Sequence, residues 1–198
     1  MRTVIFLPGA LGAAEFWHPV GDLLPKAWRK VFLAWSGLGA QAADLSVQGF
    51  DDLVRLVEAE LTEESTLVAQ SMGGIVAVRV ALRNPERVGR LVLVATSGGV
   101  DVTRLGASEW RTDYRRNHPA AAPWITEDRP DHTGDIPSIT APTLLLWGDR
   151  DPISPIPVGE HLASLLPNAV LRVIPGGTHS LAVDHAKEVA TQIQQHVH

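Results

Sequence analysis

Six short runs, apolar almost from end to end, restrict the fold of this chain more than any other feature. They cover residues 4–7, 31–35, 66–69, 91–95, 143–147 and 170–174. A strand with one wet face alternates apolar and polar residues. These runs do not alternate, so they fit strands covered on both faces. Helical stretches separate several of them. Leu53, Val54, Leu56, Val57 and Leu61 stand at helical spacing, residues 75–82 are apolar and closed by Asn84-Pro85, and a last helix is expected from about His185 onward. Strands alternating with helices build βαβ units, hence a mostly parallel sheet with helices on both faces. The expectation is an α/β fold of about six strands, with residues 1–198 as a single domain.

Residues 100–139 break this rhythm. They hold little strand signal but contain Trp110, Tyr114, Trp124, several prolines and mixed charges. The reading is a partly helical insertion over one end of the sheet. His196 and His198 fall at the chain end, where fraying is expected.

Composition removes several functional classes. The chain has no cysteine, which excludes disulfides, thiolate metal sites and a Cys nucleophile. A net charge of −5 argues against nucleic acid or an anionic membrane as partner. No run reaches the roughly 18 apolar residues of a membrane span. The first apolar run is too short for a secretory leader. A cytoplasmic protein acting on a small molecule is expected, and the sequence leaves its oligomeric state open.

Three local patterns carry chemistry. Ala69-Gln70-Ser71-Met72-Gly73-Gly74 lies between a predicted strand and a predicted helix. There a Ser hydroxyl would project from the C-terminal edge of the sheet, where open α/β sheets bind ligands. Small neighbours suit a tight strand-to-helix turn, and the helix N-terminus favours developing negative charge. Taken alone, Ser71 also reads as a helix N-cap. Asp149 and Asp151 follow the fifth run, and His179 follows the sixth, in Pro175-Gly176-Gly177-Thr178-His179. A Ser hydroxyl needs a base such as His, and that base needs an orienting acid. The third pattern, Leu7-Pro8-Gly9-Ala10-Leu11-Gly12, lacks the Lys and Ser/Thr spacing of a phosphate loop.

Together these patterns resemble the α/β-hydrolase family, whose nucleophile elbow is usually written G-x-S-x-G, with Ala69 here in place of the first Gly. The resemblance implies a Ser-Asp-His order and a catalytic set of Ser71, Asp151 and His179. Asp149 is the near rival for the acid, and Asp101 a second. The loop at 7–12 is similar to the family's H-G-x-x-G segment, with Pro8 replacing the bracing His. It implies backbone N–H groups of Ala10 and Met72 as oxyanion donors. Leu11, Phe16, Trp17, Trp110 and Trp124 are candidates for the substrate pocket. The family's frequent N-terminal hairpin has no counterpart before residue 4, and the 100–139 insertion is a short cap. The implied activity is hydrolysis of a small ester, thioester or lactone, with neither metal nor organic cofactor. C–C bond hydrolysis, perhydrolysis, proton-abstracting elimination and a ligand-binding role without turnover remain alternatives. Relatives that cleave halides or epoxides use an Asp where this chain has Ser71.

Overall fold

The computed structural model describes residues 2–198. Six strands form one all-parallel sheet: β1 (Thr3–Leu7), β2 (Arg29–Phe32), β3 (Ser65–Gln70), β4 (Val88–Val94), β5 (Thr143–Gly148) and β6 (Ala169–Ile174). Their order is β2-β1-β3-β4-β5-β6. The chain therefore moves outward from β1 to β2, then crosses back to place β3 on the other side of β1. This reversal is a topological switch point, and the crevice at the carboxyl ends of β1 and β3 is where such sheets take ligands.

Strand pleating explains the continuous apolar runs. Ile5, Leu7, Leu67, Leu93, Leu145 and Trp147 belong to one buried cluster, with residues of α2 (Phe50–Glu60), α3 (Met72–Arg83) and α6 (Ile156–Leu165). Val4, Phe6, Val68, Val92 and Leu146 alternate with them into a second cluster, covered by α1 (His18–Gly21), α7 (Leu181–Asp184) and α8 (Ala186–Val197). Both faces are covered, and the buried polar residues of the strands are confined to Thr3, Ser65, Thr66, Gln70 and Thr143.

Two strands depart from expectation. The second run was expected at 31–35, but β2 ends at Phe32. Trp35 turns out of the sheet and is fully buried under the loop after β1, its indole N–H donating to the Pro8 carbonyl at 2.7 Å. The sixth run is apolar, yet Val170 and Val173 are 46% and 40% exposed because β6 is an edge strand. The chain end, where fraying is expected from the sequence, is helical and packed. α8 extends to Val197, which is buried, and the His196 ring bonds the Pro142 carbonyl at 3.2 Å.

Residues 100–139 carry α4 (Arg111–Asn117), α5 (Trp124–Glu127) and a 3-10 turn at Ile136–Ser138. Tyr114, Ile125, Ile136 and Ile139 bury against the first cluster. Polar ties fix the segment as well. Ala122 N–H donates to Gly37 O at 2.9 Å, His132 N–H to Gly99 O at 2.8 Å, and the Arg79 Nε–H to His132 Nε2 at 3.0 Å. No helix among the described residues is long and apolar enough to cross a membrane.

Candidate active site

Ser71 occupies the single residue between β3 and α3, with φ 52° and ψ −124°. A non-glycine residue there costs of order 1–3 kcal/mol and persists only when its surroundings fix it. Here the fixing groups are visible. Ser71 N–H donates to Val94 O at 3.0 Å, and Ser71 O accepts from Gly74 N–H at 2.9 Å and from the Thr96 hydroxyl. Close approach is allowed by Gly73, where a Cβ would lie 2.4 Å from Pro8 O. The Ser71 side chain makes no capping bond to α3, so the helix-cap reading fails.

The hydroxyl instead meets a histidine. His179 Nε2 lies 3.0 Å from Ser71 Oγ, and His179 Nδ1 lies 2.8 Å from Asp151 Oδ2. A carboxylate only accepts, so Nδ1 carries the proton and Nε2 is left to accept from Ser71. Asp151 is buried, and its Oδ1 accepts from the N–H groups of Ile153 and Ser154 at 2.8 and 3.0 Å. These bonds lock the carboxylate in place. The Gln70 side-chain amide holds the carbonyl of His179 at 3.2 Å, which settles the histidine loop.

The rival acids do other work. Asp149 Oδ1 accepts from Gly176 N–H at 2.6 Å and braces the turn that leads to His179. Asp101 is exposed and accepts from the N–H and hydroxyl of Thr103. Neither pairs with the His179 ring.

The loop after β1 packs against the nucleophile, since a Cβ on Gly9 would stand 3.2 Å from the Ser71 Cβ. Four successive carbonyls of this loop are held. Leu7 O accepts from the Trp17 indole at 3.0 Å, Pro8 O from the Trp35 indole at 2.7 Å, Gly9 O from Gly12 N–H at 3.0 Å, and Ala10 O from the Tyr114 hydroxyl at 2.7 Å. Tyr114 also accepts from Gly39 N–H at 2.9 Å. Burial pushes its phenol up, so it stays protonated and able to donate. Bracing of the loop thus comes from three distant aromatic side chains rather than from a His at Pro8. Met72, as the first residue of α3, has no carbonyl one turn back for its N–H.

A cavity of about 500 Å³ opens on Ser71, Met72 and His179. Its far wall comes from the 100–139 segment, including Trp110, Arg111 and Ile125. Of the five aromatic and aliphatic pocket candidates, only Trp110 lines it. Trp17 is fully buried and Phe16 packs beside it, both in the cluster on the α8 side of the sheet. The 3-10 turn at Ala14–Trp17 carries them there. Leu11 is 56% exposed and does not line the cavity, while Trp124 packs edge-on to Phe50 at 5.2 Å. No cluster of three or more His, Asp or Glu suited to a metal exists among the described residues.

Sequence reasoning missed Tyr114, Trp35 and Thr96 as supports of this site. Tyr114 lay within a segment read only as a cap, and nothing local in the sequence ties it to Ala10.

A sequence model of the alpha/beta hydrolase family matches residues 4–129. The chain is 27% identical over 230 residues to a 2-hydroxy-6-oxononadienedioate/2-hydroxy-6-oxononatrienedioate hydrolase of Paraburkholderia phymatum, covering 91% of this chain and 80% of the relative. It is 22% identical over 224 residues to the pimeloyl-acyl-carrier-protein methyl ester esterase of Aliivibrio salmonicida, covering 90% and 85%. Both alignments are longer than this chain of 198 residues, so these relatives carry segments that it lacks. Among solved structures, a thermophilic esterase from Thermogutta terrifontis superposes with a TM-score of 0.79 at 23% identity, covering 98% of this chain and 89% of that one. The family match over more than half its length, on a sheet of matching architecture, makes this chain a member of the alpha/beta hydrolase family.

Proposed function

We propose that this protein is a serine hydrolase that cleaves a small carboxylic ester or related acyl bond through an acyl-enzyme. The observation that carries the reading is the continuous relay from Ser71 Oγ to His179 Nε2 at 3.0 Å and from His179 Nδ1 to Asp151 Oδ2 at 2.8 Å. Ser71 attacks the carbonyl carbon while His179 takes its proton. Asp151 keeps the imidazole in the required tautomer and stabilises its cation. The N–H groups of Ala10 and Met72 receive the oxyanion. His179 then protonates the leaving alcohol, and a water activated by the same nitrogen releases the acid.

The named relatives include a methyl ester esterase and a hydrolase of oxo-dienedioates. Both kinds of reaction add water across a bond to a carbonyl carbon, which supports hydrolysis as the shared part. The short cap and the cavity of about 500 Å³ suit a compact substrate.

Ser71→Ala tests the reading. Turnover of p-nitrophenyl esters of graded acyl length should fall by about 10³-fold or more, with thermal unfolding unchanged and labelling by a fluorophosphonate probe abolished. Substantial esterase activity in that variant would remove Ser71 from the mechanism. A wild-type protein that is inert to the probe but binds ligand tightly would support a receptor instead.

A further inference from the structure

The cavity over Ser71 contains a cation without a partner. Arg111, at the start of α4, lines it. Its guanidinium lies over the Trp110 ring at 4.9 Å, which leaves the charged group half-buried in the wall. The Nε–H is enclosed and has no hydrogen-bond acceptor among the described residues. Among the described residues no carboxylate stands within ion-pair distance of the group. The second cation lining this cavity, Arg129, stands close enough to act on Arg111. Burial first, then the charge of Arg129, disfavours the protonated form of Arg111, whereas Glu109 opposes that effect. Arginine remains charged at any physiological pH, so the unfavourable field is endured rather than relieved by proton loss.

Four carboxylates also line the cavity, and three of them are committed to the backbone. Asp101 accepts from the N–H and hydroxyl of Thr103, and Asp131 from those of Thr133. Glu109 accepts from the N–H groups of Arg111 and Thr112, so it caps α4 instead of pairing with the guanidinium. Asp128 is exposed. All four carboxylates are exposed, as is Arg129, so water screens them, while Arg111 is half-buried against Trp110. Arg129 uses one nitrogen on the carbonyls of Thr126 and Asp128 and keeps the rest of its fork.

We propose that Arg111, supported by Arg129, is a subsite for an anionic group of the substrate, a carboxylate carried on the part of the molecule that faces the cap. A planar carboxylate matches the guanidinium fork, and the charge it brings relieves the repulsion between the two arginines. The substrate class is then the half-ester of a dicarboxylic acid. This rests on the serine-hydrolase reading for its catalytic test, but not for its binding test.

The experiment compares monomethyl adipate with dimethyl adipate. Wild type should favour the half-ester in kcat/KM by at least about tenfold, the gain expected of a charge-assisted pair. R111Q should cut that preference at least about tenfold through KM, and R111K, which keeps the charge but not the fork, should fall between them. A wild type that prefers the diester, or an R111Q ratio equal to the wild-type ratio, overturns the subsite. Binding of adipate is measured separately on the Ser71→Ala protein, by quenching of Trp110 and the other tryptophans. Saturable binding that R111Q weakens at least about tenfold supports the subsite even if neither ester is cleaved, in which case the hydrolase reading fails alone. Absence of adipate binding in the Ser71→Ala protein overturns the subsite whatever the esterase result.

Discussion

At the scale of single residues, the site depends on side chains that never meet a substrate. Tyr114 shows this most directly, because its hydroxyl joins the cap to the carbonyl of Ala10 and the N–H of Gly39. A peptide unit is planar, so fixing the Ala10 carbonyl limits how the neighbouring loop amides can turn. Tyr114→Phe removes both bonds and keeps the ring. The loss of about 1 kcal/mol of positioning would lower kcat about fivefold, with KM little changed. A change in KM alone would assign Tyr114 to substrate binding instead. Asp149 and Asp151 make a related point. They are two residues apart and chemically identical, yet one bonds the Gly176 N–H and the other the His179 ring. Their order in the chain suggested Asp151 through the family resemblance. The reason lies in which carboxylate the turn after β5 directs inward.

Elements meet at this site through close backbone approach. α3 starts against the loop after β1, and the contact leaves no room for a side chain at Gly73. Gly73→Ala would place a methyl 2.4 Å from Pro8 O, a backbone atom that cannot swing away. Overpacking of this kind costs about 1–3 kcal/mol, and the displaced Met72 N–H should reduce activity as well as melting temperature. Gly134→Ala is the control, because nothing lies within 4 Å of its added methyl. Equal melting temperatures for the two variants would show that the contact is slack. Strands and helices were legible in the sequence because burial on both faces leaves a continuous apolar run. The limits of β2 were not, because Trp35 looks like a strand residue and becomes one only if the chain stays in the sheet. It leaves because its indole completes the hydrogen bonding of Pro8.

For the whole molecule, two histidines outside the site make stability depend on pH below about 6.5. Burial lowers the pKa of both His132 and His196 below the usual 6.5, helped by Arg79 beside His132 and Arg90 beside His196. Asp135 and Asp131 pull His132 the other way, and Arg83 adds to the lowering. The unfolded chain therefore binds protons that the folded chain refuses. Stability is fully present above about pH 6.5 and is lost as pH falls through that value toward the folded pKa values. His132→Gln keeps an acceptor for Arg79 and removes one titration. Its melting temperature should drop less than that of wild type between about pH 7 and about pH 5; an equal drop would assign the acid sensitivity elsewhere. The amino-acid sequence by itself determined the parallel α/β sheet and the order in which a serine, an acid and a histidine follow their strands, because apolar periodicity and turn chemistry are local. Only the tertiary structure decided that Phe16 and Trp17 belong to the core behind the sheet, that Tyr114, Trp17 and Trp35 brace the loop after β1, and that Arg111 stands unpaired in the cavity. Each of these depends on residues far apart in the chain arriving at one place, and no local pattern encodes that distance.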